Sequence, residues 1–142
     1  MTKVSFENYT FEVINVENIG NNILTVNKNS LTFDKSIADL LGFPSHIKPL
    51  LDRENKVFAI QACKSTTAKS IPFSKSESLQ KGNVKLHSMA VKNTLRTLME
   101  NTWKTEMRYQ VKGRVIPEHK AFVFELNDFK ELPPHKGNNR HK

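Results

Sequence analysis

A single cysteine, Cys63, is all the thiol chemistry this 142-residue sequence offers. No intrachain disulfide can form, a reducing interior is the expected environment, and the thiol reads as a buried structural group on a strand with no activating neighbour. No apolar run approaches the about 18 residues that span a membrane, and residues 1–7 lack the apolar stretch of a signal peptide. The expectation is a cytoplasmic protein without a membrane partner. The P-loop, the dinucleotide fingerprint, the zinc-protease helix and the nucleophile elbow are all missing. His46, His87, His119, His135 and His141 never stand three or four residues apart, and one cysteine cannot complete a structural zinc site. Acidic pairs such as Glu7/Glu12 and Asp52/Glu54 lie in charged, turn-rich stretches that solvation explains. The sequence therefore reads as non-enzymatic, with no cofactor and no metal.

What is present is positive charge, unevenly placed. The net charge is +8. Residues 1–63 hold six Lys/Arg against seven Asp/Glu, whereas residues 64–142 hold sixteen against seven. A basic second half points to a polyanion or an acidic protein face as partner. At this length the chain should bury about two-thirds of its unfolded surface without covalent staples.

The order of elements repeats. Glu54-Asn55-Lys56-Val57-Phe58-Ala59-Ile60-Gln61 returns as Glu118-His119-Lys120-Ala121-Phe122-Val123-Phe124-Glu125, a charged turn followed by an alternating apolar strand. Upstream, residues 30–41 lie over residues 88–99, so the chain reads as one unit written twice. The alternation predicts strands over 8–17, 23–28 and 31–33, then a helix capped by Asp34, buried through Ile37, Leu40 and Leu41 and closed by Gly42. A hairpin over 47–61 follows, with Pro49 marking an edge or bulge. Residues 64–85 turn polar and read as a linker or long loop with a short strand near 70–74. A strand at 84–87, a helix over 90–102 with Val91, Leu95, Leu98 and Met99 inward and Lys92, Arg96 and Glu100 outward, and a hairpin over 109–126 make the second unit. The organisation is thus 1–63, a linker at 64–85, 86–132, and a disordered basic tail at 133–142.

Residues 24–61 resemble the swapped-hairpin DNA-binding fold of the AbrB/SpoVT and MraZ-like transcription regulators, in the order strand, polar turn, strand, short helix ending on Leu41-Gly42, and charged-turn hairpin. The resemblance implies two β-β-α-β-β units interleaved into a small barrel, usually as a homodimer, with basic residues near the first hairpin entering the DNA groove. Because the repeat is covalent, it implies an α/β chain of the α+β type, mostly antiparallel, that supplies both units itself as a pseudodimer; a homodimer stays open. The pattern departs where the family has Gly-Arg before the second strand and this chain has Asn29-Ser30, where the helix opens on Asp34 in place of proline, and where Ala38 and Asp39 replace arginines. Lys28 and Lys35 keep family positions in the first copy, and Lys92 and Arg96 lie in the matching helix region of the second.

Beside these four cations, Lys104, Arg108, Lys112 and Arg114 surround Trp103 and Tyr109. Lys112 and Arg114 share one face of a strand at period two. Such cations contact phosphates, and exposed aromatics stack on bases. Lysine heavily outnumbers arginine, which favours phosphate attraction over base reading. The sequence thus leads to a DNA-binding protein of transcription-regulator type. The alternative is a phage-derived, anti-CRISPR-like inhibitor or adaptor that docks on a host protein or nucleoprotein.

Overall fold

The structure is a computed structural model that describes residues 21–134 and, by backbone alone, the short strands β1 (Lys3–Phe6) and β2 (Tyr9–Glu12). Residues 135–142 of the tail expected at 133–142, and residues 8 and 13–17 of the expected first strand, lie outside the described residues. Strands β1 and β2 pair with each other. The remaining strands are β3 (Ile23–Val26), β4 (Leu31–Phe33), β5 (His46–Asp52), β6 (Val57–Cys63), β7 (Ile71–Pro72), β8 (Val84–Leu86), β9 (Arg108–Ile116) and β10 (Ala121–Leu132). They form one antiparallel sheet in the order β7-β5-β6-β10-β9-β3-β4-β8. Helix α1 (Lys35–Leu41) follows β4, and α2 (Met89–Leu98) follows β8. This strand-rich, curled half-barrel with two helices is of the small α+β class. No helix among the described residues is long and apolar enough to cross a membrane.

The register explains which face is buried. Phe129, Val111, Leu24, Phe33 and Val84 stand opposite one another across five neighbouring strands, and Val111, Leu24, Phe33 and Val84 are buried. One residue along, the row is Lys130, Gln110, Thr25, Thr32 and Lys85, wholly polar. Side chains alternate faces along a strand, so five strands held in one register sort into an apolar inside and a polar outside.

The inside is closed by curling. The Phe33 ring packs edge-on against Phe73, which follows edge strand β7, with centroids 5.2 Å apart, and against Phe124 of β10 at 6.0 Å. Phe33 thus touches both the far edge and the middle of the sheet, so the two ends approach across the core. Residues 64–83 join this closure: Phe73 N–H donates to Ser45 O, and Ser74 donates to Pro44 O through both backbone and hydroxyl. Helix α1 buries Ile37, Ala38 and Leu41, and α2 buries Leu95 with Met99 just beyond it. Apolar burial of this kind contributes roughly 1.5–3 kcal/mol for each large side chain.

Several local expectations need correction. Asp34 stands at the start of α1 but does not cap it; its Oδ2 accepts from Ile23 N–H at 2.9 Å across the β3–β4 pair, and Lys35 N–H donates instead to Asn83 Oδ1. Ser88 does cap α2, accepting from Val91 N–H at 3.3 Å. Gly42 ends α1 in the left-handed conformation at φ 81°, as expected. Leu40 is exposed. The upstream half of the repeat pairs like with like only in part: residues 35–40 of α1 lie over residues 93–98 of α2, but strand β4 lies over Met89, Ala90 and Val91, the first turn of α2. The downstream echo is structural: Lys56 and Lys120 both take φ near +50°, at 56° and 48°, where each hairpin enters its strand. Strands β6 and β10 then lie side by side, with Ala59 opposite Val123.

Strand β10 carries a wide bulge, with five steps from Phe124 to Phe129 facing two from Gly113 to Val111. Beside it Gly113 points inward, and a Cβ there would meet the Phe124 ring and lie 2.7 Å from Phe122 Cδ1. These two stacked rings occupy the space a side chain would take. Gly113→Val should therefore lower stability by about 1–3 kcal/mol through overpacking. Urea denaturation followed by tryptophan fluorescence measures it; an unchanged midpoint would show that the rings yield freely.

Candidate nucleic-acid interface

The eight cations singled out by the sequence separate into three groups. Arg108, Lys112 and Arg114 alternate with inward-facing Tyr109, Val111 and Gly113, so all three project from the outer face of β9. Lys28, at the β3–β4 turn, reaches that face at the end near Arg108. Lys35 begins α1, and Lys92 lies on α2, away from these strands. Arg96 and the Lys104 backbone form part of an aromatic knot.

That knot buries both aromatics. Trp103 and Tyr109, weighed as platforms on which bases could stack, are 5% and 0% exposed. Their rings stack on each other at 4.7 Å, and Phe129 closes edge-on against both. Trp103 Nε1 meets no acceptor among the described residues. The Tyr109 hydroxyl accepts from Lys104 N–H at 2.6 Å and donates to Glu131 Oε1 at 2.9 Å. Lys104 Nζ lies 3.9 Å from Glu131 Oε2. Burial, first of all, raises the Tyr109 phenol above its ordinary value, and the Glu131 carboxylate adds to the rise.

Arg96 was expected on the outer side of α2, but it folds over this knot. Its guanidinium lies 5.6 Å from the Tyr109 ring centroid and donates to the carbonyls of Lys104 (2.9 Å), Asn27 (3.0 Å) and Met107 (2.9 Å). Burial lowers its pKa from the usual value, yet a guanidinium stays charged. Arg96 therefore ties α2 to the β3–β4 turn and to the approach to β9.

Among the described residues Lys104 pairs with Glu131 and Arg114 with Glu125, at 3.6 Å. Among the described residues no carboxylate comes within ion-pair distance of Lys28, Arg108 or Lys112. The register adds two cations that sequence reasoning passed over. Lys85 projects from edge strand β8 between inward Val84 and Leu86, an alternation the sequence itself displays. Lys130 lies on the part of β10 beyond the bulge, past the expected end of that strand at 126. Both are exposed and unpaired among the described residues. Lys28, Lys85, Arg108, Lys112 and Lys130 thus share the outer face with the uncharged Thr25, Thr32 and Gln110.

One end of this face sinks into a cleft of about 620 Å³ that takes in Lys28, Lys85 and Arg108, with Glu106 as its one carboxylate. Elsewhere, Leu50, Leu51 and Phe58 face Val91 and Leu95 across a smaller apolar groove of about 230 Å³. No group of three or more His, Cys, Asp or Glu gathers among the described residues. Comparison of the chain with protein-family models, with curated proteins and with solved structures finds no match.

Two measurements check the knot. Arg96→Met should cost about 2 kcal/mol, since three carbonyls lose charge-assisted donors and a cation leaves an aromatic face; Arg96→Lys should recover little, because an ammonium lacks the fork. Tyr109 has a folded pKa above its unfolded value, so its contribution is whole below about pH 10 and is lost as pH rises through the folded value. The difference in urea midpoint between the native chain and Tyr109→Phe should shrink as pH climbs from about 9 to about 11. A difference that stays constant would contradict the buried, protonated phenol.

Proposed function

We propose that the protein binds duplex DNA through the outer face of the β10-β9-β3-β4-β8 sheet, in the manner of a small transcription regulator and without catalysis. The observation that carries this reading is the set of five cations, Lys28, Lys85, Arg108, Lys112 and Lys130, on one face, each without an ion-pair partner among the described residues and interspersed with the uncharged Thr25, Thr32 and Gln110. Cations spread over a sheet at strand spacing suit a phosphate backbone, which attracts without regard to sequence. The burial of Trp103 and Tyr109 removes the stacking platform that a single-strand binder uses, and favours a duplex.

The reading extends to architecture: two swapped-hairpin units interleaved within one chain as a pseudodimer. In its support, strands of the first half pair with strands of the second at β6–β10, β3–β9 and β4–β8. Echoed residues Ala59 and Val123 meet directly, as they would about a local two-fold axis. The family-position residues Lys35 and Lys92 take no part in the proposed contact.

The alternative, an inhibitor or adaptor docking on a host protein or nucleoprotein, has the apolar groove beside exposed Leu50 and Met89 in its favour. A stoichiometric partner from host lysate that survives nuclease and is lost in Leu50→Asp would favour it.

The duplex reading is tested by fluorescence anisotropy of a labelled duplex at rising salt. Five phosphate contacts give a slope of log affinity against log salt of about −4.5, or nearly three decades (~2.7) lost between about 50 and about 200 mM. Binding absent at about 50 mM salt, or independent of salt, would overturn the proposal.

A further inference from the structure

The cleft at the end of the outer face is built differently from the rest of it. Arg108 enters with its Nε donating to Pro133 O at 3.0 Å, which pins the base of the guanidinium while Nη1 and Nη2 remain unspent. A guanidinium held in this way presents its fork in a fixed direction and gives up little freedom when it binds. Lys28 from the β3–β4 turn and Lys85 from edge strand β8 reach the same cleft, so three cations converge from two strands and a turn against the single carboxylate in its lining, Glu106. The remaining lining carries hydroxyls and amides, including Thr32 and Asn27, whose amide already donates to Ser30 Oγ and Thr32 Oγ1. Among the described residues no aromatic ring lines the cleft, so a base would find nothing there to stack on.

We infer that this cleft seats a phosphate monoester, with the Arg108 fork on two of its oxygens and Lys28 and Lys85 neutralising its charge. The excess of two positive charges matches a monoester, which carries about −1.5 to −2 at neutral pH, better than a backbone diester with one. A volume of about 620 Å³ lies within the roughly 300–1,000 Å³ typical of small-ligand sites and admits one nucleotide. Such a group comes either from the phosphorylated end of a strand or from a free mononucleotide. The first source rests on the duplex-binding reading above; the second does not.

The experiment uses the full chain and three probes: two duplexes of identical sequence, one 5′-phosphorylated and one 5′-hydroxyl, and adenosine monophosphate as competitor, with inorganic phosphate as a second competitor. The phosphorylated duplex should bind about fivefold or more tightly than its twin at equal salt. That ratio should fall to one in Arg108→Gln and in Lys85→Gln while thermal melting stays unchanged. Displacement by adenosine monophosphate without an end preference upholds the cleft and assigns it to a free nucleotide. Equal binding of the two duplexes with no effect of either competitor overturns the inference and leaves the duplex reading standing. Binding of adenosine monophosphate, lost in Arg108→Gln, by a protein that binds neither duplex upholds the cleft and removes the duplex reading.

Discussion

Everything in this molecule follows from a shared register that is curled on itself. Five strands from β10 to β8 hold the row Phe129, Val111, Leu24, Phe33 and Val84 at one level, and curling brings Phe33 onto Phe73 from the opposite edge. Because a strand's faces alternate, burying that row forces its neighbour, Lys130 to Lys85, into solvent. A slip of one residue would exchange the two rows and place two lysines in the core, at a cost no sheet of this size could meet. The exposed cations are therefore as firmly specified as the core.

The aromatic knot fixes the end of the sheet where that face is deepest. Trp103, Tyr109 and Phe129 pack together, and Arg96 reaches over them to the carbonyls of Asn27, Lys104 and Met107. Asn27 belongs to the turn that carries Lys28, and Met107 precedes Arg108. Arg96 thus spends its charge inside the structure and holds two of the outer cations in place. It acts on the proposed interface as a positioning residue.

Much of the fold was legible in the sequence because period-two alternation and turn chemistry are local. The hairpins β5–β6 and β9–β10 and the αL glycine at Gly42 are all set by neighbours within a few residues. What is non-local was hidden. Asp34 has the chemistry of a cap, but a strand neighbour, Ile23, takes its carboxylate. Arg96 lies on what helical spacing makes an outer face, yet the approach to β9 folds back beneath it. Trp103 and Tyr109 sit among cations in sequence and among each other in space. Lys130 was missed because a bulge carries β10 past its expected end, and Lys85 because only the non-local pairing of β8 with β4 places it on the same face as β9. The order of the repeat was right for the hairpins, where Lys56 and Lys120 share a left-handed turn. Upstream it held for the helices but not for β4, where similar letters fall on a strand in one copy and on the first turn of a helix in the other.

The central claim is that one face of the sheet, and not the chain's overall positive charge, makes the contact. Two double charge reversals of equal size separate these: Lys112→Glu with Lys130→Glu on the outer face, and Lys35→Glu with Lys92→Glu on the helices. Both pairs change the net charge identically and spare the core. Measured by duplex anisotropy at one salt concentration, the sheet pair should abolish binding while the helix pair weakens it by less than about tenfold, the size of a long-range screened effect. Equal losses from the two pairs would contradict the account, leaving charge without a site.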